Sequence, residues 1–528
     1  MAMKVNSTFM QTPVVAEVST FDRLIFKGYL YGFRYPGAVM MTLATMGQVL
    51  FKDWKAIIEP LTEELHVHLE TMCRQQGRPF EYLNRAHTHR DEESKEDMAR
   101  AIAVKDGITE GLVCVFRVLE PCSSYDVRGN KKEHTLELVR RPRRCLHYYM
   151  YLIDPRFGWM HVRVQSWIPW TIQVYVNGRE WMCRELDRRT IAYRRSDNKI
   201  VKVADIGAVQ KAARKLEKTN WPKFLDRLAK QFNPLTNRFV GKNGISGYFW
   251  VVDQCEYATD LLFKDRSTVD RLMPDLKRHA HSVISVRDCY RFMGKRESKA
   301  EAIIDLQQRP EGWRGKFRVG RNWIKLYDHA NIIRIETTIN HPAAFTVNRK
   351  GEKSATAKKA TAKAKRSPLR KGVQDFWLLA KIAGAANDRL RATFDASRIT
   401  RPAIDHLNRL SKPHTVKGRR VPRLNPTAAE TVALFKATTA GENAVRGFSN
   451  GDIQRHLHPN QASSAKERRR RTCRICRKLA CLRGHGLIAR IPGTRRYRFT
   501  DRGRATINAA IRIHDLDFPA LMTEQVAA

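Results

Sequence analysis

Four carboxylates raise the first chemical question. Asp253, Glu256, Asp328 and Glu336 fall in segments with strand-like patterning. Carboxylates on adjacent strands are a means of holding Mg²⁺ or Mn²⁺ against a phosphate. With such an ion bound, Glu336, Asp253 and Glu256 are the candidate catalytic groups of a metal-dependent DNA nickase or endonuclease, and Glu336 and Asp328 the candidate ligands. In a chain this basic, each carboxylate can equally pair with an Arg or Lys. A second set of groups suits a polyanion. From Cys145 to Trp167, CLHYYMYLIDPRFGWMHVRVQSW, two strand patterns flank the break Asp154-Pro155-Arg156-Phe157-Gly158. Alternation puts Met160, Val162 and Val164 on one face and His161, Arg163 and Gln165 on the other. His147, Tyr149 and Tyr151 share a face of the partner strand and lie beside His161 and Arg163 if the hairpin closes tightly. Imidazole, guanidinium, amide and phenol groups gathered there can grip phosphates or stack on bases. A polar face turned to solvent is the plainer alternative.

Charge narrows the partner. The chain of 528 residues carries 97 Lys and Arg against 53 Asp and Glu, a formal net charge of +44. A field of that size attracts polyanions over long range, so nucleic acid, DNA or RNA or both, is the expected partner. A membrane is not expected, because the chain has no run of eighteen apolar residues; the stretch Pro36 to Phe51 is short and interrupted by Thr and Gln. The N-terminus lacks a basic-then-apolar signal pattern. Ten Cys in a chain this long do not make a disulfide scaffold, which fits a reducing, cytoplasmic setting. There is no phosphate-cradling Gly-Lys loop, HExxH or dinucleotide-binding Gly pattern, hence no expected nucleotide cofactor.

The elements that must position these groups read as an α+β protein. Residues 1–20 are polar and read as loose, and 1–107 as mostly helical. Leu61, Leu65, Leu69 and Met72 recur at helical spacing, with Pro60 where a helix could begin. His66 and His68 diverge on a helix by about 200°, so they read as structural or exposed and not as a metal pair. Residues 108–345 form an antiparallel, β-rich core. It begins with a meander from Leu112 and continues through a helix-like segment from Ile172 to Leu186 and basic helices over 208–233. A strand from Tyr248 to Cys255, a helix from Ser267 to His281 and three strands from Gly315 to Ile339 complete it. There Lys325 and Tyr327 share one face, and Arg334 and Glu336 share a face of the next strand; Lys325 and Arg334 join the candidate phosphate-binding groups. Residues 346–372 read as a basic disordered linker, with ten basic residues and one acidic between Arg349 and Lys371. A helical connector follows over 373–424, and a last domain over 425–515.

Two stretches resemble known families. Lys325 to Glu336, with Tyr327-Asp328 and Arg334-x-Glu336, resembles the YDK-then-RxE stretch of rolling-circle plasmid replication initiators. The resemblance implies Glu336 as a metal ligand. His329 stands where that family has Lys, and no Tyr follows Glu336 until Tyr497, which leaves the family's tyrosine nucleophile without a match. In the last domain, Asn425-Pro426 starts a helix that runs on from Ala428 to Ala437. Asn450 to Leu457 is a short second helix with Ile453 and Leu457 inward, and Ser464-x-x-Glu467 caps a third that Gly484 closes. On the third, Ile475, Cys476, Leu479 and Leu482 form an apolar stripe, with Arg470, Arg471, Arg474, Arg477 and Lys478 mostly away from it. A hairpin and a helix from Arg502 to Ile513 complete the series. This order, with LRGHGLIARIPGTRRYRFTDRG as its wing, resembles a winged helix of the MarR-like kind. The resemblance implies that the helix from Ser464 to Arg483 enters a major groove or packs on structured RNA, with Arg495 and Arg496 at the wing. Cys473, Cys476 and Cys481 sit inside that helix and read as core packing, not as zinc ligands with His485. The expected function is a nucleic-acid-binding protein of mobile-element or replication type, with metal-dependent nicking as an added activity. A non-catalytic RNA-binding ribonucleoprotein component and a winged-helix transcriptional regulator are the alternatives.

Overall fold

The computed structural model describes residues 8–10, 12–45, 51–84, 94–241, 245, 247–282, 284–298, 300–310, 312–349, 365–395, 403–416, 418–441, 443 and 447–517. The fold is mixed α+β with a large, mainly antiparallel sheet. The chain forms two compact units, neither of them one stretch of sequence. The first holds Ser19–Tyr257 and Thr338–Lys381; the second holds Met1–Val18, Ala258–Thr337 and Ile382–Ala528.

In the first unit, strands β1 (Ala16–Leu30), β2 (Phe80–Tyr82), β3 (Gly111–Asn130), β4 (Thr135–Asp154), β5 (Gly158–Gln165), β6 (Ile172–Asn177) and β7 (Tyr248–Leu262) lie in the order β7-β1-β6-β5-β4-β3-β2. The four central pairings, from β1–β6 to β4–β3, are antiparallel, whereas the short edge strand β2 runs parallel to β3. The β4–β5 turn closes as its sequence requires. The Asp154 carboxylate accepts the backbone N–H of Arg156 at 2.8 Å and of Phe157 at 3.1 Å. Gly158 has φ +68°, and a Cβ there would lie 2.4 Å from Glu180 Cγ. Apolar positions of β1 and the turn pack on helix α6 (Trp221–Phe232), where Phe26, Phe157 and Phe376 surround Trp221. Helix α1 is Pro36–Thr45, and α2 (Trp54–Gln75) buries Trp54, Ile58, Leu61, Leu65, Leu69 and Cys73. Further helices include α3 (Lys95–Lys105), α4 (Gly178–Asp187) and α5 (Ile206–Leu216), and a single turn over Leu235–Phe239.

Several local expectations change. The expectation of loose and then helical chain near the N-terminus gives way to β1, where every second residue from Ala16 to Leu30 is buried and Phe21 is buried besides. Pro60 falls inside α2 instead of starting it. The segment from Ile172 to Leu186 is strand β6 followed by α4, with Asn177 capping the helix. Its Val174 and Val176 fit a strand as well as a helix, and pairing with β1 and β5 settles the period. Of the basic linker, residues 350–364 lie outside the described residues, while Lys365–Pro368 pairs with Thr346–Arg349 as a small hairpin.

In the second unit, the end of β7 continues the order β8-β9-β10-β11-β7 with strands β8 (Ala302–Arg309), β9 (Gly312–Val319), β10 (Asn322–His329) and β11 (Ile332–Ile339). Helices α7 (Arg266–Ser282) and α8 (Val286–Phe292) follow β7 in sequence. Helix α9 spans Phe376–Asp395, and its Asn387 bonds Thr337 at 2.6 Å and Thr259 at 3.1 Å.

A separate hydrophobic cluster organises the C-terminal residues of this unit. It joins α10 (Ala403–Leu410), α11 (Ala429–Thr439), α12 (Asn450–Leu457), α13 (Ala465–Gly484), a hairpin of β12 (Ile488–Arg490) and β13 (Tyr497–Phe499), and α14 (Asp501–Arg512). Phe435, Phe448, Ile453, Ile475, Leu479, Leu482, Leu487 and Ile507 fill it. Phe448 also pairs with Tyr497 as an isolated antiparallel bridge beside the hairpin. Within the expected helical connector, the stretch between Lys412 and Pro426 contains a further hairpin of His414–Val416 with Arg419–Val421.

Candidate nucleic-acid interface

The β4–β5 register places the expected groups side by side: His147 opposite Gln165, Tyr149 opposite Arg163, Tyr151 opposite His161. Their partners, however, belong to the fold. Glu120 on β3 sits at the centre, 2.6 Å from Arg163, 3.0 Å from Lys95 of α3 and 2.9 Å from the Tyr149 hydroxyl. Lys95 also lies 4.0 Å above the Tyr149 ring. Burial raises the Glu120 carboxyl, but Arg163 and Lys95 outweigh it and bring it down to about 2. His161 stacks on Tyr175 at 5.0 Å. Burial holds its imidazole down at about 4, as it does that of His147, with nearby cations adding to the effect. Gln165 bonds the Ser123 and Ile168 carbonyls and the Thr171 hydroxyl. Tyr151 and Gln165 are each 3% exposed. Helix α3 covers the face through Ala99 and Ala103, which pack with Tyr151 and Trp159. The face first read as a polyanion grip is therefore largely covered, with Tyr149, His161 and Arg163 half-buried, and its cations and aromatics are engaged with one another.

The carboxylates are likewise paired. Glu336 is 2.8 Å from Lys325 and accepts the Tyr327 hydroxyl at 2.9 Å. Burial raises its carboxyl, yet Lys325 and Arg334 hold it below the ordinary range. Asp328 is 2.7 Å from Arg266 and accepts the Trp313 backbone N–H. Arg334 forms a buried two-pronged pair with Asp260, at 2.6 and 2.9 Å. In the first unit, Asp253 lies 4.0 Å from Lys371, and Glu256 lies 4.0 Å from Arg23 with the Thr338 hydroxyl at 3.4 Å. Among the described residues no three His, Cys, Asp or Glu converge as a metal-ion donor set. The reading in which each carboxylate meets a cation describes this geometry, and Lys325 and Arg334 serve buried acids.

Helix α13 is built differently. Ser464 caps it by accepting the Glu467 N–H at 3.2 Å, while the Glu467 carboxylate turns back to Ser463 and not to its expected partner Ser464. The helix ends at Gly484, and the left-handed residue that lets the chain leave is Gly486, with φ +72°. Ile475, Leu479 and Leu482 are buried as expected. Cys476 is exposed, as is Cys473, so neither is core. Of the two other members of that cluster, Cys481 is half-buried and His485 bonds the Pro422 carbonyl at 2.8 Å.

The cations of α13 divide into two groups. Arg471 binds Glu467 and the Asn460 carbonyl, and Arg474 and Lys478 both bind Glu430. Lys466, Arg470 and Arg477 are exposed and have no acidic partner among the described residues; Arg468 and Arg469 share that condition. Lys466, Arg470, Cys473 and Arg477 recur at i, i+4, i+7 and i+11, a single ridge on the side away from Ile475, Leu479 and Leu482. Lys466, Arg469, Arg470 and Cys473 line one open depression along it. Lys466 and Arg469 were missed in the sequence; the position opposite the buried stripe was the signal that could have found them. At the β12–β13 loop, Arg495 is exposed, whereas Arg496 donates to the Gly447 carbonyl at 2.6 Å and lies 3.4 Å from Asp452.

Among the described residues, no helix is long and apolar enough to cross a membrane. No family model matches the chain, and no curated protein matches it. A solved structure, the rolling circle replication initiator protein from Geobacillus stearothermophilus, aligns over 70% of this chain and 97% of that one, at 12% identity and a TM-score of 0.21. At that score the likeness carries no argument about fold or activity.

Proposed function

We propose that this chain binds nucleic acid through a C-terminal winged helix, with α13 laid against duplex DNA and the β12–β13 loop as the wing. The observation that carries the reading is the outer ridge of α13: Lys466, Arg470 and Arg477, exposed and without acidic partners among the described residues. Unpartnered guanidinium and ammonium groups in water gain most when they neutralise phosphates and release counterions. A helix is the element a major groove admits, and the flanking loop supplies Arg495 to the backbone beside it. The net charge of +44 supports long-range attraction to the same partner.

The test is binding of a labelled duplex by fluorescence anisotropy at several salt concentrations. Arg470→Glu with Arg477→Glu is expected to lower affinity on the order of 10²-fold and to flatten the salt slope by about two. Unchanged affinity in a variant that unfolds at the wild-type midpoint overturns the reading.

A replication or mobile-element role with Mg²⁺- or Mn²⁺-dependent nicking is the finer form of this proposal. Its support is the sequence stretch from Lys325 to Glu336. Nicking of supercoiled plasmid with and without Mg²⁺ tests it, and a Glu336→Gln variant that nicks as well as wild type excludes Glu336 as the ligand.

A further inference from the structure

We infer that the outer halves of β3 and β4 form a second DNA-binding arm, a two-stranded ribbon that lies in the major groove of B-form duplex. The inference rests on the nucleic-acid reading above and extends it to a separate surface. From Cys122 to Asn130 on β3, paired with Thr135 to Arg143 on β4, the ladder continues without a third strand among the described residues: β5 reaches only His147 to Asp154, and β2 only Val115 to Arg117. Nine residues at about 3.4 Å each make an arm roughly 30 Å long. That is close to the roughly 34–36 Å of one duplex turn.

Its charge is mainly positive. Residues 122–144 carry seven Lys or Arg against three Asp or Glu. Arg128, Lys131, Lys132 and Arg144 are exposed, with no acidic partner among the described residues. Arg143 is exposed as well and lies 4.2 Å over the Trp167 ring, and Arg141 meets Asp126 only at 3.8 Å. The register puts Arg128, Arg141 and Arg143 on one face, and the turn that joins the strands carries Lys131 and Lys132. The opposite face is anchored at Tyr125 and Leu138, both buried. The face of Arg128 also carries Asp126 and Glu137, and the exposed Arg140 lies on the face of Tyr125, so the surplus of cations is spread over both faces and the turn. Charges on exposed ribbons also discourage edge-to-edge pairing, but either sign would serve that purpose. The excess of one sign fits a polyanion. The major groove of B-DNA is wide enough for a two-stranded ribbon, whereas that of A-form RNA is deep and too narrow for side chains to read.

The experiment uses the full chain with 40-base-pair DNA and RNA duplexes, read by anisotropy and hydroxyl-radical footprinting. Arg128→Glu with Lys131→Glu and Lys132→Glu is expected to weaken DNA binding at least tenfold, shorten the footprint and leave the unfolding midpoint unchanged. The milder Lys131→Gln with Lys132→Gln pair is expected to weaken binding about threefold and serves if the triple variant fails to fold. Wild-type binding that neither variant alters overturns the arm while leaving the α13 proposal standing. No binding by wild type overturns both. Equal losses on DNA and RNA duplexes overturn the assignment to the B-form groove.

Discussion

The aromatic and basic face of β4–β5 and the outer ridge of α13 are alike in composition and opposite in condition. On the first, Arg163 and Lys95 close on Glu120, His161 lies flat on Tyr175, and α3 covers the rest. On the second, Lys466, Arg470 and Arg477 extend into solvent with no acid in reach among the described residues. A cation that already has a carboxylate has less to gain from a phosphate, because binding one means leaving the other. Residue type therefore does not mark a binding face here. What marks it is a positive charge that the fold leaves uncompensated. Substitution should separate the two conditions: changes on the paired side should cost stability, and changes on the open side should cost binding.

The largest effect is expected where pairing is most buried. Glu336→Ala removes the acid shared by Lys325 and Tyr327 and strands a cation beside buried Arg334. Breaking a buried pair from one side costs about 3–5 kcal/mol. Urea unfolding should therefore show a much lower midpoint. If the loss is under about 1 kcal/mol, the pair is not buried as described and the contrast fails. Next in size is the Arg470→Glu, Arg477→Glu pair. A 10²-fold loss of DNA affinity corresponds to about 2.7 kcal/mol of binding, with the unfolding midpoint unmoved. A variant that loses stability instead would place those arginines on the paired side.

Local period was legible in the chain; engagement was not. The register His147–Gln165, Tyr149–Arg163 and Tyr151–His161 follows from alternation and one Asp-Pro-Arg-Phe-Gly turn, both short-range properties. So did the strands that carry Lys325, Arg334 and Glu336, and the helix, helix, helix, hairpin, helix order from Ala429 to Arg512. What covers a face depends on residues far away in sequence. Nothing near Tyr149 announces that Lys95, fifty-four residues earlier, will lie over its ring. Segments whose period is ambiguous were also hidden: Ile172 to Asn177 is too short to separate strand from helix until β1 and β5 pair with it. Cys476 looked apolar by type yet lies off the stripe set by Ile475, Leu479 and Leu482.

Acid offers a third test of the paired face. The His161 imidazole titrates near 6.5 when unfolded and near 4 when folded. Between those values the unfolded chain takes up a proton that the folded chain refuses, so stability falls as pH drops from about 6.5 to 4, and the loss then levels off. From pH 7 to 5.5 His161 should account for roughly 1 kcal/mol of that loss. His161→Gln should remove this share of the pH dependence, whatever it does to the midpoint at pH 7. An unchanged slope would mean that the ring is solvated and that the face is open after all.

The smallest effect is the sharpest, because it compares neighbours. Arg495 and Arg496 are adjacent in the β12–β13 loop, but only Arg496 is held, by the Gly447 carbonyl and by Asp452. Arg495→Ala should weaken duplex binding about twofold to fivefold, under about 1 kcal/mol, and reduce the salt slope by about one, with no change in unfolding. Arg496→Ala should do the reverse: it releases a charge-assisted hydrogen bond worth about 1.5 kcal/mol or more and lowers the midpoint. Both side chains belong to one loop and carry the same charge at the same ionic strength, so field strength and sequence context cancel. If the two variants lose binding equally, net positive charge alone attracts the duplex, and the distinction between engaged and open cations has no bearing on recognition.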